Sequence, residues 1–142
     1  MHPLLVVAVI LALVALATAL GFVWRSQQGR VRIGDERIVA IDGVPLGERA
    51  TLLQFSTEVC SPCRATARVL GALADRTESV EHVDLDVTHR PELAARYRVL
   101  QTPTTLILDS YGAVRARIGG AVRRDLVIAE LARVLEQKVP AA

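Results

Sequence analysis

Hydrophobic and polar positions are laid out in two ways along this chain. From Leu4 to Val23 no residue is charged, and only Thr18 is plainly polar. As a helix, this run rises about 30 Å, the thickness of a bilayer's hydrocarbon core. Trp24 closes it at an interfacial position, and Arg25 follows. A core helix would show a polar face, and none interrupts this run. A cleaved signal peptide competes, since Ala17-Thr18-Ala19 looks like a cleavage site. The run is longer than a usual signal core, however, and no Lys or Arg precedes it. The expectation is an uncleaved single-span anchor over 1–24, then a basic tether over 25–37.

Beyond the tether, short apolar runs alternate with helical patterns. Arg37 to Ile41 reads as a short strand, with turns at Asp42-Gly43 and Pro45-Leu46-Gly47. Thr51 to Ser56 has the length and apolarity of a buried strand. Cys63 to Arg76 reads as a helix, with Ala67, Leu70 and Leu73 on one side and Arg64, Arg68 and Arg76 for the other. Val80 to Val87 alternates as a strand. Pro91 to Tyr97 is a short helix with Pro91 and Glu92 in its first turn. Thr104 to Leu108 and Ala113 to Ile118 are strands joined by the turn Asp109-Ser110-Tyr111-Gly112. Gly119-Gly120 breaks the pattern, and Arg123 to Lys138 closes the chain as an amphipathic helix. Alternating units of this kind predict an α/β domain over 38–142, with a central mixed sheet flanked by helices.

Composition adds little to that picture. The chain is 51% hydrophobic, and the excess lies mainly in the first segment. A net charge of +2 is too close to neutral to argue for nucleic acid. Charge placement says more. Arg25, Arg30, Arg32 and Arg37 follow the apolar run, whereas only His2 and the α-amino group precede it. The positive-inside rule then puts the domain in the cytoplasm, the extracytoplasmic side being the alternative.

The chemistry sits in two cysteines, Cys60 and Cys63, within Cys-Ser-Pro-Cys. The unit lies between an expected strand and an expected helix. There, unsatisfied N–H groups and the helix dipole stabilise a thiolate. With two residues between them, the sulfurs can close one short ring and cycle between dithiol and disulfide. Structural zinc needs four ligands, and His2, His82 and His89 form no His-x3–5-His pair. Haem attachment needs His after the second Cys, where Arg64 stands. A structural staple gains stability from a long loop, and this loop is two residues. His82 and His89, seven apart, read as surface histidines rather than a metal or proton-transfer pair. The reading calls for no metal and no cofactor.

From Ile38 to Lys138 the chain resembles the thioredoxin superfamily, and with its anchor it looks like the membrane-tethered thioredoxin-like proteins of bacteria. Three segments carry the likeness: Thr51 through Cys63, Gln101-Thr102-Pro103-Thr104-Thr105, and Gly119-Gly120. The resemblance implies a thioredoxin fold and a thiol–disulfide oxidoreductase that reduces protein disulfides and is recharged by an upstream thiol donor. Cys60 would be the exposed nucleophile and Cys63 the resolving thiol. Ser61 and Pro62 would shape the active-site turn, with Thr102, a cis Pro103 and Gly119 facing the substrate.

The chain also departs from the family. Val59 and Ser61 replace the usual Trp and Gly, and Gln54 stands where the family has a buried acid. Gln cannot serve as a general base, and Glu58 is the nearest carboxylate. These departures favour dedicated partners. They also keep two rivals in play: a redox-sensing or non-enzymatic binding module at the membrane, and an extracytoplasmic reductase in cytochrome c maturation.

Overall fold

A computed structural model of the chain describes residues 3–27, 31–33 and 43–137. Its first element is helix α1 (Pro3–Gln27), and 24 of its residues, Pro3–Ser26, are long and apolar enough to cross a membrane. The side chains of Leu4, Phe22 and Trp24 stand largely exposed. Their burial against the rest of the chain therefore does not explain this helix.

The domain follows as β1 (Val31–Ile33), β2 (Ala50–Ser56), α2 (Ser61–Ala74), β3 (Val80–Asp86), α3 (Pro91–Arg96), β4 (Thr104–Asp109), β5 (Val114–Gly119) and α4 (Arg124–Glu136). The strands form one five-stranded sheet in the order β1-β5-β4-β2-β3. β2 and β3 are parallel, and the other pairs are antiparallel. The mixed sheet flanked by helices is as expected, with element ends shifted by one or two residues. The first strand is a correction. Val31–Ile33 falls inside the stretch expected as tether, yet it pairs with the open edge of β5. Its alternating β-branched residues suit a strand, and an unpaired edge offers free N–H and C=O groups. Residues 37–41, expected as a strand, lie outside the described residues.

Alternation along β2 divides the core. Ala50 and Leu52 face α2 and α4, where they meet Leu70, Leu73, Val127, Leu131 and Val134. Leu53 and Phe55 face α3 with Leu93 and Tyr97, and the Phe55 and Tyr97 rings stack 5.6 Å apart. A register shift between Ile107 and Leu108 lets β5 serve both layers. Ala116 and Ile118 join the first layer and Val114 the second. Such a bulge turns one strand's side chains from face to face.

One end of the sheet carries turns that are closed by hydrogen bonds. Asp109 is buried, and its Oδ1 accepts the N–H groups of Tyr111 and Ala113, both at 2.9 Å. Its Oδ2 accepts from Arg115 Nε at 2.8 Å and Nη2 at 2.7 Å. Gly112 takes a positive φ of 80°, which glycine adopts without strain. At the same end, a Cβ on Gly47 would lie 2.2 Å from the Ala50 carbonyl oxygen, so no larger residue fits. The other end of the sheet holds the cysteines.

Candidate active site

β2 is buried along its whole length and delivers the chain to the head of α2. Cys60 caps that helix in an extended conformation, φ −144° and ψ 95°. Its Sγ accepts the Cys63 N–H at 3.2 Å. Its carbonyl accepts from Cys63 and Arg64 at 3.2 and 3.3 Å. A sulfur thus occupies the position that Ser or Asp oxygens usually take, where first-turn donors are otherwise orphaned. Pro62 sits in that first turn, where a missing N–H costs nothing. Ser61 is exposed, with its hydroxyl 3.4 Å from Arg64 Nη2.

Cys60 and Cys63 form a disulfide, S–S 2.02 Å with Cα atoms 5.2 Å apart. Cys60 is 8% exposed and Cys63 3%. The first sulfur is thus less open than the sequence reading expects, because it turns in toward the helix N–H groups. Val59 beside it is 97% exposed.

The second wall comes from β4 and β5. Thr102–Pro103 is a cis peptide, as expected. It is followed by Thr104, which pairs with Phe55 of β2 and Gly119 of β5. Thr102 Oγ1 lies 3.3 Å from Thr57 Oγ1, tying the proline loop to the loop before Cys60. Gly120, at φ 83°, donates its N–H to the Pro103 carbonyl at 2.8 Å. Of the two glycines, this one uses the left-handed region. A Cβ on Gly119 would meet Gln101 Nε2 at 2.6 Å, the movable end of a long side chain. The Val122 N–H reaches Thr66 Oγ1 at 3.5 Å, linking the loop after β5 to α2.

Beneath the disulfide lies a contact that sequence reasoning missed. Gln54 is fully buried, and its Nε2 donates to the Cys63 carbonyl at 2.9 Å. Gln54 pairs in register with Thr105, also fully buried. Gln54 Oε1 and Thr105 Oγ1 have no hydrogen-bonding partner among the described residues. A long polar side chain between Leu53 and Phe55 of a buried strand was the available signal.

Glu58 does not lie under the cysteines. It is exposed, its N–H donates to Thr88 Oγ1 at 3.0 Å, and its carboxylate is 4.0 Å from His89 Nε2. Thr88 in turn holds Asp86, whose carboxyl is lowered below its ordinary value by hydrogen bonds from the Thr88 hydroxyl and N–H. His89 is exposed, as expected of a surface histidine. His82 is not a surface histidine. It is half-buried and packs beside Gly71 of α2, its Nδ1 at an ordinary contact distance of 3.7 Å from where a Cβ would stand. Burial pushes its pKa down, against the opposing pull of Asp84 and Asp75. Among the described residues, no three His, Cys, Asp or Glu side chains gather as a metal site.

The arrangement can exchange a disulfide with a partner: a helix-capping sulfur, a second sulfur within bonding distance and a proline loop alongside. Comparison with known proteins gives the same picture. The thioredoxin family model matches residues 42–133. The thioredoxin of Streptomyces clavuligerus is 30% identical over 80 residues, covering 56% of this chain and 75% of that protein. Thioredoxin H2 of Arabidopsis thaliana is 35% identical over 75 residues, covering 53% of this chain and 56% of that protein. Among solved structures, Fasciola hepatica thioredoxin superposes with a TM-score of 0.53 at 30% identity, over 61% of this chain and 82% of its own.

Proposed function

The chain belongs to the thioredoxin family of thiol–disulfide oxidoreductases, and from that premise we propose that it is a membrane-anchored reductase of protein disulfides. One observation carries the reading: Cys60 caps α2 with the Cys63 N–H on its sulfur. Negative charge on that sulfur meets a hydrogen-bond donor and the positive end of a helix.

In the reduced protein, the Cys60 thiolate attacks one sulfur of a target disulfide. A new S–S bond joins Cys60 to the target, and the target's other sulfur leaves as a thiolate and takes a proton. Cys63, as a thiolate, then attacks Cys60 Sγ. The second target thiol departs, and the Cys60–Cys63 disulfide closes. Two electrons have passed to the target, and an upstream dithiol donor restores the pair. Gln54 holds the Cys63 carbonyl against β2 during that closure. Thr102, Pro103 and Gly119 border the path of the incoming chain, with the Thr102 backbone suited to strand-like pairing. Ser61 and Pro62 set the turn.

Residues 1–24 serve as the anchor, supported by the length and apolarity of α1. The arginines after it favour a cytoplasmic domain. Cys60→Ser is expected to abolish disulfide reduction, and Cys63→Ser to accumulate mixed disulfides with partners. If both variants retain full activity, the mechanism is wrong. If instead both variants bind partners as the native chain does and neither it nor they turn over, the protein is a binding module. After mild reduction, a membrane-impermeant maleimide should modify the cysteines in lysates but not in intact cells. Modification in intact cells would place the domain outside and favour a role in maturing exported proteins.

A further inference from the structure

The register of the sheet shows where the anchor meets the domain. Val31, the first residue of β1, pairs with Ile118, one residue from the end of β5. Ile118 pairs with Thr105, and Thr105 with Gln54, whose amide holds Cys63. Pro103 precedes this row on β4, and Cys60 follows it after β2. The chain therefore enters the sheet at the end that carries the disulfide. The Asp109–Gly112 turn lies at the other end, about 20 Å away along the strands.

The connection is also short. α1 ends at Gln27 and β1 begins at Val31, so only residues 28–30 intervene. However they run, a chain of that length spans at most about 14 Å. Val31 is three strand spacings from Gln54, again about 14 Å. The end of the spanning helix is thus within about 30 Å of the residue that grips Cys63. Val59 and Leu100 stand 97% and 95% exposed at this same end. Both are aliphatic side chains placed next to the cysteines and before the proline loop.

Resting on the reading of α1 as an anchor, we propose that the catalytic disulfide faces the membrane and works on disulfides in membrane-proximal segments of other membrane proteins. A freely mobile domain would serve proteins of the whole compartment. This one hangs by its catalytic end. A partner must bring its disulfide into the layer between sheet and bilayer, and Val59 and Leu100 give an apolar side chain there something to cover.

The test uses the full chain in lipid vesicles, with Cys60→Ala and Cys63→Ala as background. One label is placed at Val59→Cys and another at Tyr111→Cys, both exposed positions at opposite ends of the sheet. Energy transfer to acceptors on the lipid headgroups reports each height. The Val59 label should lie nearer the bilayer, by up to about 20 Å. Equal heights, or Tyr111 nearer, would overturn the proposal while leaving the anchor intact. Failure of the chain to float with the vesicles would overturn the anchor, and the proposal with it. Loss of insulin reduction by the native chain in detergent would overturn the redox reading separately.

Discussion

The two ends of this sheet are built from the same strands but satisfy their polar groups differently. At the hairpin end, one buried carboxylate takes two backbone N–H groups and an arginine fork. At the cysteine end, two buried oxygens, Gln54 Oε1 and Thr105 Oγ1, have no hydrogen-bonding partner among the described residues, and two aliphatic side chains stand in the open. Buried polar groups ordinarily find partners. The hairpin end obeys that rule and closes the fold. The cysteine end relaxes it beside Cys63, at the helix head that carries the disulfide.

Substitutions can break or sharpen this contrast. The largest effect on stability is expected at Asp109. Asp109→Ala strips partners from two N–H groups and Arg115, and should cost about 2–4 kcal/mol in chemical denaturation. Disulfide reduction at temperatures where the variant is folded should be unchanged, since the turn lies at the far end.

Gln54→Leu should cost less, within about 1 kcal/mol, because losing one hydrogen bond is offset by removing an unpartnered acceptor. Its signature should be kinetic: with the Cys63 carbonyl released, closure on Cys60 slows and mixed disulfides build up. Should Gln54→Leu prove more destabilising than Asp109→Ala, the contrast between the ends fails.

The smallest expected effect concerns His82, on the α2 side of β3. Its folded pKa lies below the ordinary 6.5, because burial disfavours the charged ring. Below about pH 6.5 the unfolded chain binds more protons than the folded one. The stabilising contribution is therefore complete above that pH and declines as pH falls toward the folded value. His82→Gln should flatten this part of the stability curve, measured by denaturation from pH 7.5 to 5.5.

Much of the molecule was legible because it depends on neighbours in the chain. The apolar run of α1, the Asp109–Gly112 turn, the buried β2 and the Cys-Ser-Pro-Cys head of α2 each arise from residues a few positions apart. Periodicity and capping act over that range, so the pattern alone located them. The likeness to a family then located Pro103 and the Gly119-Gly120 pair, of which the structure shows Gly120 to be the one in the left-handed region. Val31–Ile33 escaped because three residues carry too little periodicity to announce a strand. Pairing with β5, 83 or more positions later, is what makes it one.

The sequence by itself determined the elements, the cysteine pair and an apolar span at one end. Tertiary structure alone decided that Gln54 grips Cys63, that His82 is half-buried, and that the strand following α1 joins the sheet at the cysteine end. Each of these depends on strand register and helix packing between distant segments. A one-residue slip in pairing would turn Gln54 to the other face, and no local pattern specifies that choice.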